Sequence, residues 1–135
     1  MNLWARVTAV AFAIQLAFAG TAQSRDQWVQ VRAGTWEPST ELLVELKARL
    51  RPYTERQART QSRSLQRWSK YTFQYYATEE RGRRYVWVNA LCHVEKDWPL
   101  EEELMTVLDG GTCFFNLKYD PSKRQYYDLV FNGEA

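Results

Sequence analysis

The residues with the most reactive side chains are few: Cys92, Cys113 and the single histidine, His93. His93 adjoins Cys92, which invites a reading as nucleophile and base. A base must hydrogen-bond its nucleophile, whereas neighbouring side chains on a strand point to opposite faces, so adjacency works against that pairing. An even pair of cysteines in an oxidising compartment reads first as a disulfide. One histidine and an oxidised pair cannot build an ordinary zinc site, and we expect neither a metal nor a cofactor. Glu101, Glu102 and Glu103 are consecutive and splay apart on a helical turn, so they read as solvated charge. No glycine-rich phosphate loop or dinucleotide fingerprint is present, and no catalytic residue is assigned.

The remaining chemistry is basic and aromatic. Arg56, Arg59, Arg63, Arg67 and Lys70 recur every three or four residues, which on a helix confines them to roughly 80° of its circumference. Such a stripe suits an anionic glycan, a lipid headgroup surface or an acidic envelope protein; it is also the ordinary exposed face of an amphipathic helix. The chain carries 6 Trp, 8 Tyr and 6 Phe, enough to fill a small core and to leave some for contacts. Among them Trp98, followed by Pro99 in a long connection, is the aromatic expected to be exposed and available for contact. Formal net charge is only +2, yet it is unevenly spread, with 11 basic and 5 acidic residues from Glu41 to Arg84 and 4 basic and 9 acidic from Glu95 to Ala135. Near-neutral overall charge argues against nucleic acid as a partner.

These residues need elements to position them. Met1 to Ala22 has the three parts of a cleavable signal peptide: Arg6 as the positive region, an apolar run from Val7 to Ala19, and Gly20 and Ala22 before the cut. The apolar run is shorter than the ~20 residues of a spanning helix, and no later segment is apolar enough to cross a membrane. Residues 23–135 are then expected to form a single exported α+β domain, periplasmic or secreted. A weak strand pattern opens it near Trp28. Ser39 or Thr40 caps a helix with Glu41 in its first turn, and Leu42, Leu43, Leu46 and Leu50 form its apolar stripe. Pro52 is expected to kink or split this helix, with helical character resuming from Tyr53 to about Leu65.

Four strands follow in expectation: Tyr71 to Tyr76, Tyr85 to Cys92, Thr112 to Tyr119 and Gln125 to Phe131. Turns at Glu79-Glu80-Arg81-Gly82, Asp109-Gly110-Gly111 and Asp120-Pro121-Ser122-Lys123 separate them, with a helical turn within Pro99 to Leu104. The resulting architecture is an N-terminal helix packed on a four-stranded antiparallel sheet.

Asn89-Ala90-Leu91-Cys92, Asp109 to Phe115, Tyr119-Asp120 and Asn132 to Ala135, with Trp36, Pro38 and Tyr71 to Tyr75, resemble small exported bacterial proteins of unknown function. That resemblance implies no activity, and its two cysteines are consistent with a bridge. The helix-plus-sheet layout also resembles the cystatin-like fold. Gln30-Val31-Arg32-Ala33-Gly34 only approximates the Gln-x-Val-x-Gly inhibitor loop, with Arg32 in place of the valine and the segment lying before the helix; Trp98-Pro99 reverses that family's Pro-Trp order. The expectation that results is an exported, non-catalytic binding or interaction module of the periplasm or cell envelope. The alternatives are a small hydrolase of envelope polymers using dispersed carboxylates, and an inhibitor of an envelope or host enzyme.

Overall fold

The structure, a computed structural model, describes residues 27–134. The expected signal peptide lies outside the described residues. In chain order the elements are β1 (Gln27–Gln30), α1 (Thr40–Thr60), β2 (Thr72–Glu80), β3 (Arg83–Leu91), β4 (Phe114–Asp120) and β5 (Gln125–Phe131), with 3-10 turns at Trp68–Lys70 and Gly111–Cys113. All five strands join one sheet in sequence order.

This is an α+β fold with a helix on a sheet, and two expected details are corrected. The sheet has five strands and is mixed, because β1 pairs in parallel with β2 while the other pairs are antiparallel. The helix is not N-terminal, since β1 precedes it. The reason is topological. Parallel neighbours cannot be joined by a tight turn, and α1 supplies the crossover that brings Trp28 opposite Phe73. After β1 the chain keeps to the edge of β2, with the Val31 and Thr35 amides donating to the Tyr75 and Ala77 carbonyls. Only glycine fits at Gly34, where a Cβ would sit 2.8 Å from the Ala77 carbonyl oxygen.

Ser39 is the helix cap, its hydroxyl accepting from the Leu42 amide at 3.2 Å. Pro52 neither splits nor ends α1, which runs on to Thr60. Pro52 and Ala48 are both exposed, so the Ala48 carbonyl deprived of its donor is left to water. The helix stops short of the expected Leu65 in a Schellman arrangement: Arg63 N donates to Ala58 O and Ser62 N to Arg59 O, with Ser62 left-handed at φ 53°.

Leu46, Leu50 and Ala58 pack on one sheet face against Phe73, Tyr75, Val86, Val88, Phe115, Leu117 and Tyr119. Fully burying each leucine contributes about 1.5–3 kcal/mol. The strand alternation that places these residues inward also turns Gln74 and Asn89 to the far face, where residues 93–110 close over them. Gln74 Nε2 donates to the Leu100 and Glu103 carbonyls at 2.7 and 2.8 Å, and its Oε1 accepts from Asn89 Nδ2 and the Met105 amide. Cys92 and Cys113 form a disulfide across the ends of that connection, with Cα atoms 4.9 Å apart.

Candidate functional site

The Schellman turn decides where the basic residues go. The chain reverses at Ser62 and returns beside the helix end, so Arg63 and Arg67 come back next to Arg59 without sharing a helix with it. These three arginines, with Arg51, Glu55 and Trp68, line a depression of about 370 Å³. A second depression of about 630 Å³ is lined in part by the same Arg51, Arg67 and Trp68, and adds Lys47. The expected single stripe is therefore corrected. Arg56 turns away to a different depression beside Tyr53 and Arg124, and Lys70 lies in the 3-10 turn and lines neither basic depression.

The charges at this surface are poorly compensated. Among the described residues, none of Arg56, Arg59, Arg63, Arg67 and Lys70 takes part in an ion pair, whereas Arg32, Arg49, Arg51, Arg83, Arg84, Lys118 and Arg124 all do. Arg63 donates to the Asn132 carbonyl at 3.1 Å and lies over the Phe131 ring. Arg51 pairs with Glu55 at 2.7 Å and lies 5.7 Å from the centre of the Trp68 ring. Trp68 is half-buried and wedged against Tyr71 and Phe73, at centroid distances of 5.6 and 5.3 Å.

The carboxylates with displaced titration serve the fold. Glu45 accepts from Arg124 Nε and from the Tyr119 hydroxyl, each at 2.8 Å, and these bonds hold its carboxyl down at about 2. Tyr119 is pushed up to about 12, chiefly by burial and then by its bond to Glu45. Asp120 is held low by the Lys123 amide first, then by the Ser122 amide and Arg83, in the turn between β4 and β5. Both acids are ionised at neutral pH, and neither is poised to donate a proton.

The other expected candidates are placed as follows. Cys92 is oxidised, and His93 faces solvent with Nε2 2.8 Å from Glu95. Trp98 is partly exposed, in the same burial class as Trp68. Glu101 reaches Arg32, while the Glu102 and Glu103 amides close a turn on the Pro99 carbonyl. Among the described residues no group of three His, Cys, Asp or Glu side chains is placed to hold a metal ion.

Lys47, Arg51 and Trp68 escaped the sequence reading. Lys47, Arg51, Glu55 and Arg59 repeat every four residues, a signal that was available; Trp68 had none. A second aromatic group lies on the far sheet face, where Lys118 Nζ sits 5.1 Å from the Tyr85 ring and 5.6 Å from Trp87. That cation fills the space between the rings and is itself paired with Asp128.

Fold and surface together define a disulfide-bridged α+β protein with a basic hollow that Glu55 compensates only in part. In comparisons with known proteins, no family model, curated protein or solved structure matches the chain. No helix among the described residues is long and apolar enough to cross a membrane.

Proposed function

We propose that this chain is an exported, non-catalytic binding module of the periplasm or cell envelope, and that it engages an anionic partner at the hollow beside the helix end. The observation that carries the reading is the gathering of Arg59, Arg63 and Arg67 around one concavity with no ion-pair partner for any of them among the described residues. Like charges lining one hollow repel one another, so their mutual interaction opposes folding. An anion entering the hollow reverses that sign.

Export is supported by the disulfide, which persists in oxidising compartments. A hydrolase of envelope polymers would want two converging carboxyls, one raised and one ionised; Glu45 and Asp120 are both lowered and tied to basic and backbone donors. For an inhibitor, Gln30 to Gly34 would need to project as a loop, yet Val31 is buried and Gly34 lies against β2.

The test is binding to anionic glycans and to anionic vesicles at low and high salt. The double substitution Arg59→Glu and Arg67→Glu removes two exposed cations without touching Arg63, whose guanidinium also holds the Asn132 carbonyl. Salt-sensitive binding that disappears in the variant supports the reading. Binding that survives the reversal sinks it.

A further inference from the structure

We propose that the anionic partner is an extended acidic glycan, a chain of sugar rings carrying carboxylate, sulfate or phosphate groups, laid across Trp68 from one basic hollow into the next. This rests on the reading above and narrows it.

The first support is continuity. The depressions of about 370 and 630 Å³ both use Arg51, Arg67 and Trp68, so they are two basins on either side of one saddle. A compact anion fills one basin, whereas a chain fills both. The second support is charge. Lys47, Arg51, Arg59, Arg63 and Arg67 line the joined basins, and Glu55 is the single acid among their lining residues. Beyond Arg63 the surface changes sign, because the next depression shares Arg63 but carries Asp109 and Glu134. The basic track therefore runs from Lys47 to Arg63 and ends there.

The third support is the saddle. Trp68 is fixed from behind by Tyr71 and Phe73, has the Arg51 guanidinium 5.7 Å from its ring centre and stays partly exposed, so it forms a rigid aromatic wall with a cation beside it. Flat sugar faces pack on such rings, while Gln66 and Ser69 at the basin walls offer partners to hydroxyls. A lipid surface is flat and covers the rim of a concave track without filling it. A flexible polyanion without rings gains the charge and leaves the aromatic wall unused.

The experiment compares three probes on the full folded protein: oligogalacturonates of increasing length, inorganic polyphosphate of matched charge, and phosphatidylglycerol vesicles. Tryptophan fluorescence and calorimetry supply the readouts. We expect affinity for oligogalacturonates to rise with length and then level off once both basins are spanned. Lys47→Glu, at an exposed helix position, should weaken the long oligomers by about tenfold and leave the shortest nearly unchanged. Trp68→Leu should weaken oligogalacturonate more than polyphosphate, with Trp68→Tyr restoring most of the loss; circular dichroism checks that both variants fold.

Equal affinity for polyphosphate and oligogalacturonate, or no length dependence and no effect of Lys47→Glu, overturns the glycan inference while leaving an anionic partner in place. Preferential binding to vesicles also overturns it. Failure of all three probes to bind in a salt-sensitive way overturns both this inference and the reading on which it rests.

Discussion

Gln74 should be the residue on which residues 93–110 depend. Its side chain is fully buried and makes four hydrogen bonds: to the carbonyls of Leu100 and Glu103, and from the Met105 amide and Asn89 Nδ2. Gln74→Leu keeps the volume and removes all four. Each neutral bond contributes about 1 kcal/mol net, and a group left buried without a partner costs about 1–3 kcal/mol. Four lost bonds therefore amount to about 4 kcal/mol, reduced to about 3 by the extra apolar contact of leucine. That is a large part of the roughly 5–15 kcal/mol expected of a whole domain.

The connection has another way to respond. It can lift from the sheet and hydrate its freed groups while the disulfide still tethers its ends, so part of the loss should appear as local opening. Urea denaturation measures the global change, and amide hydrogen exchange locates it. We expect a loss of about 3–4 kcal/mol, with the Met105 amide losing protection far more than the ladder amides of β2 and β3. Gln74→Glu keeps the acceptor but turns a carboxylate toward two carbonyls, and at neutral pH it should be worse than leucine. A loss under about 1 kcal/mol with Met105 still protected would refute the argument, and would shift the clamping of the connection to the disulfide and to the bonds from Arg32, Asn89 and Asn132.

Other outcomes follow from the same geometry. The Cys92–Cys113 bridge closes a loop with a sequence separation of 21, so reduction should remove about 3 kcal/mol of stability; two titratable thiols in the denatured, unreduced protein would contradict the bridge. The folded Glu45 carboxyl lies near 2 against an ordinary 4.5, so its stabilising contribution is complete above 4.5 and is lost as pH falls through about 2. Arg124→Gln should raise the Glu45 titration measured by carboxyl NMR, and a value still near 2 would remove Arg124 as the main cause. At the basic end, Tyr119 is raised from 10.0 to about 12, so its contribution is complete below 10.0 and fades as pH rises through about 12. Leu46→Ala should cost about 2–5 kcal/mol in chemical denaturation, since the leucine is fully buried beneath the helix. Ser62→Gly should stabilise by about 0.5–1 kcal/mol, because Ser62 holds the left-handed position of the helix end; a destabilised variant would show that its side chain matters more than its backbone.

The strands that pack on the helix were legible because burial on one face leaves a strong period of two. Phe73, Tyr75 and Ala77 alternate with residues on the far side, as do Val86, Val88 and Ala90. Gln74 and Asn89 illustrate the limit of that signal. Polar side chains in alternation read as solvent-facing, yet both are buried, because a connection distant in sequence covers them. Strand β1 was nearly invisible for a related reason. It is four residues long, and its partner is reached only across the helix, so no local pattern announces the pairing. The helix end was misplaced because Ser62 occupies a position where glycine is the usual marker.

The basic surface shows where spacing arithmetic stops being valid. Steps of three and four residues describe neighbours on a helix only while the helix lasts, and this one ends at Thr60. Beyond it, Arg63 and Arg67 owe their places to tertiary contacts: Leu65 and Trp68 pack against the core, Thr112 Oγ1 donates to the Ser64 carbonyl at 2.6 Å, and the Gln66 amide donates to the Tyr71 hydroxyl at 3.1 Å. Repulsion among Arg59, Arg63 and Arg67 pushes residues 61–68 away from the helix, and these contacts hold them against it. A connection stabilised for folding alone would gain from a carboxylate at position 67, facing Arg59 across the hollow, whereas Arg63 already serves the fold through the Asn132 carbonyl and the Phe131 ring. Arginine at position 67, set on this packing beside Arg59, leaves two cations of the hollow without an ion-pair partner among the described residues.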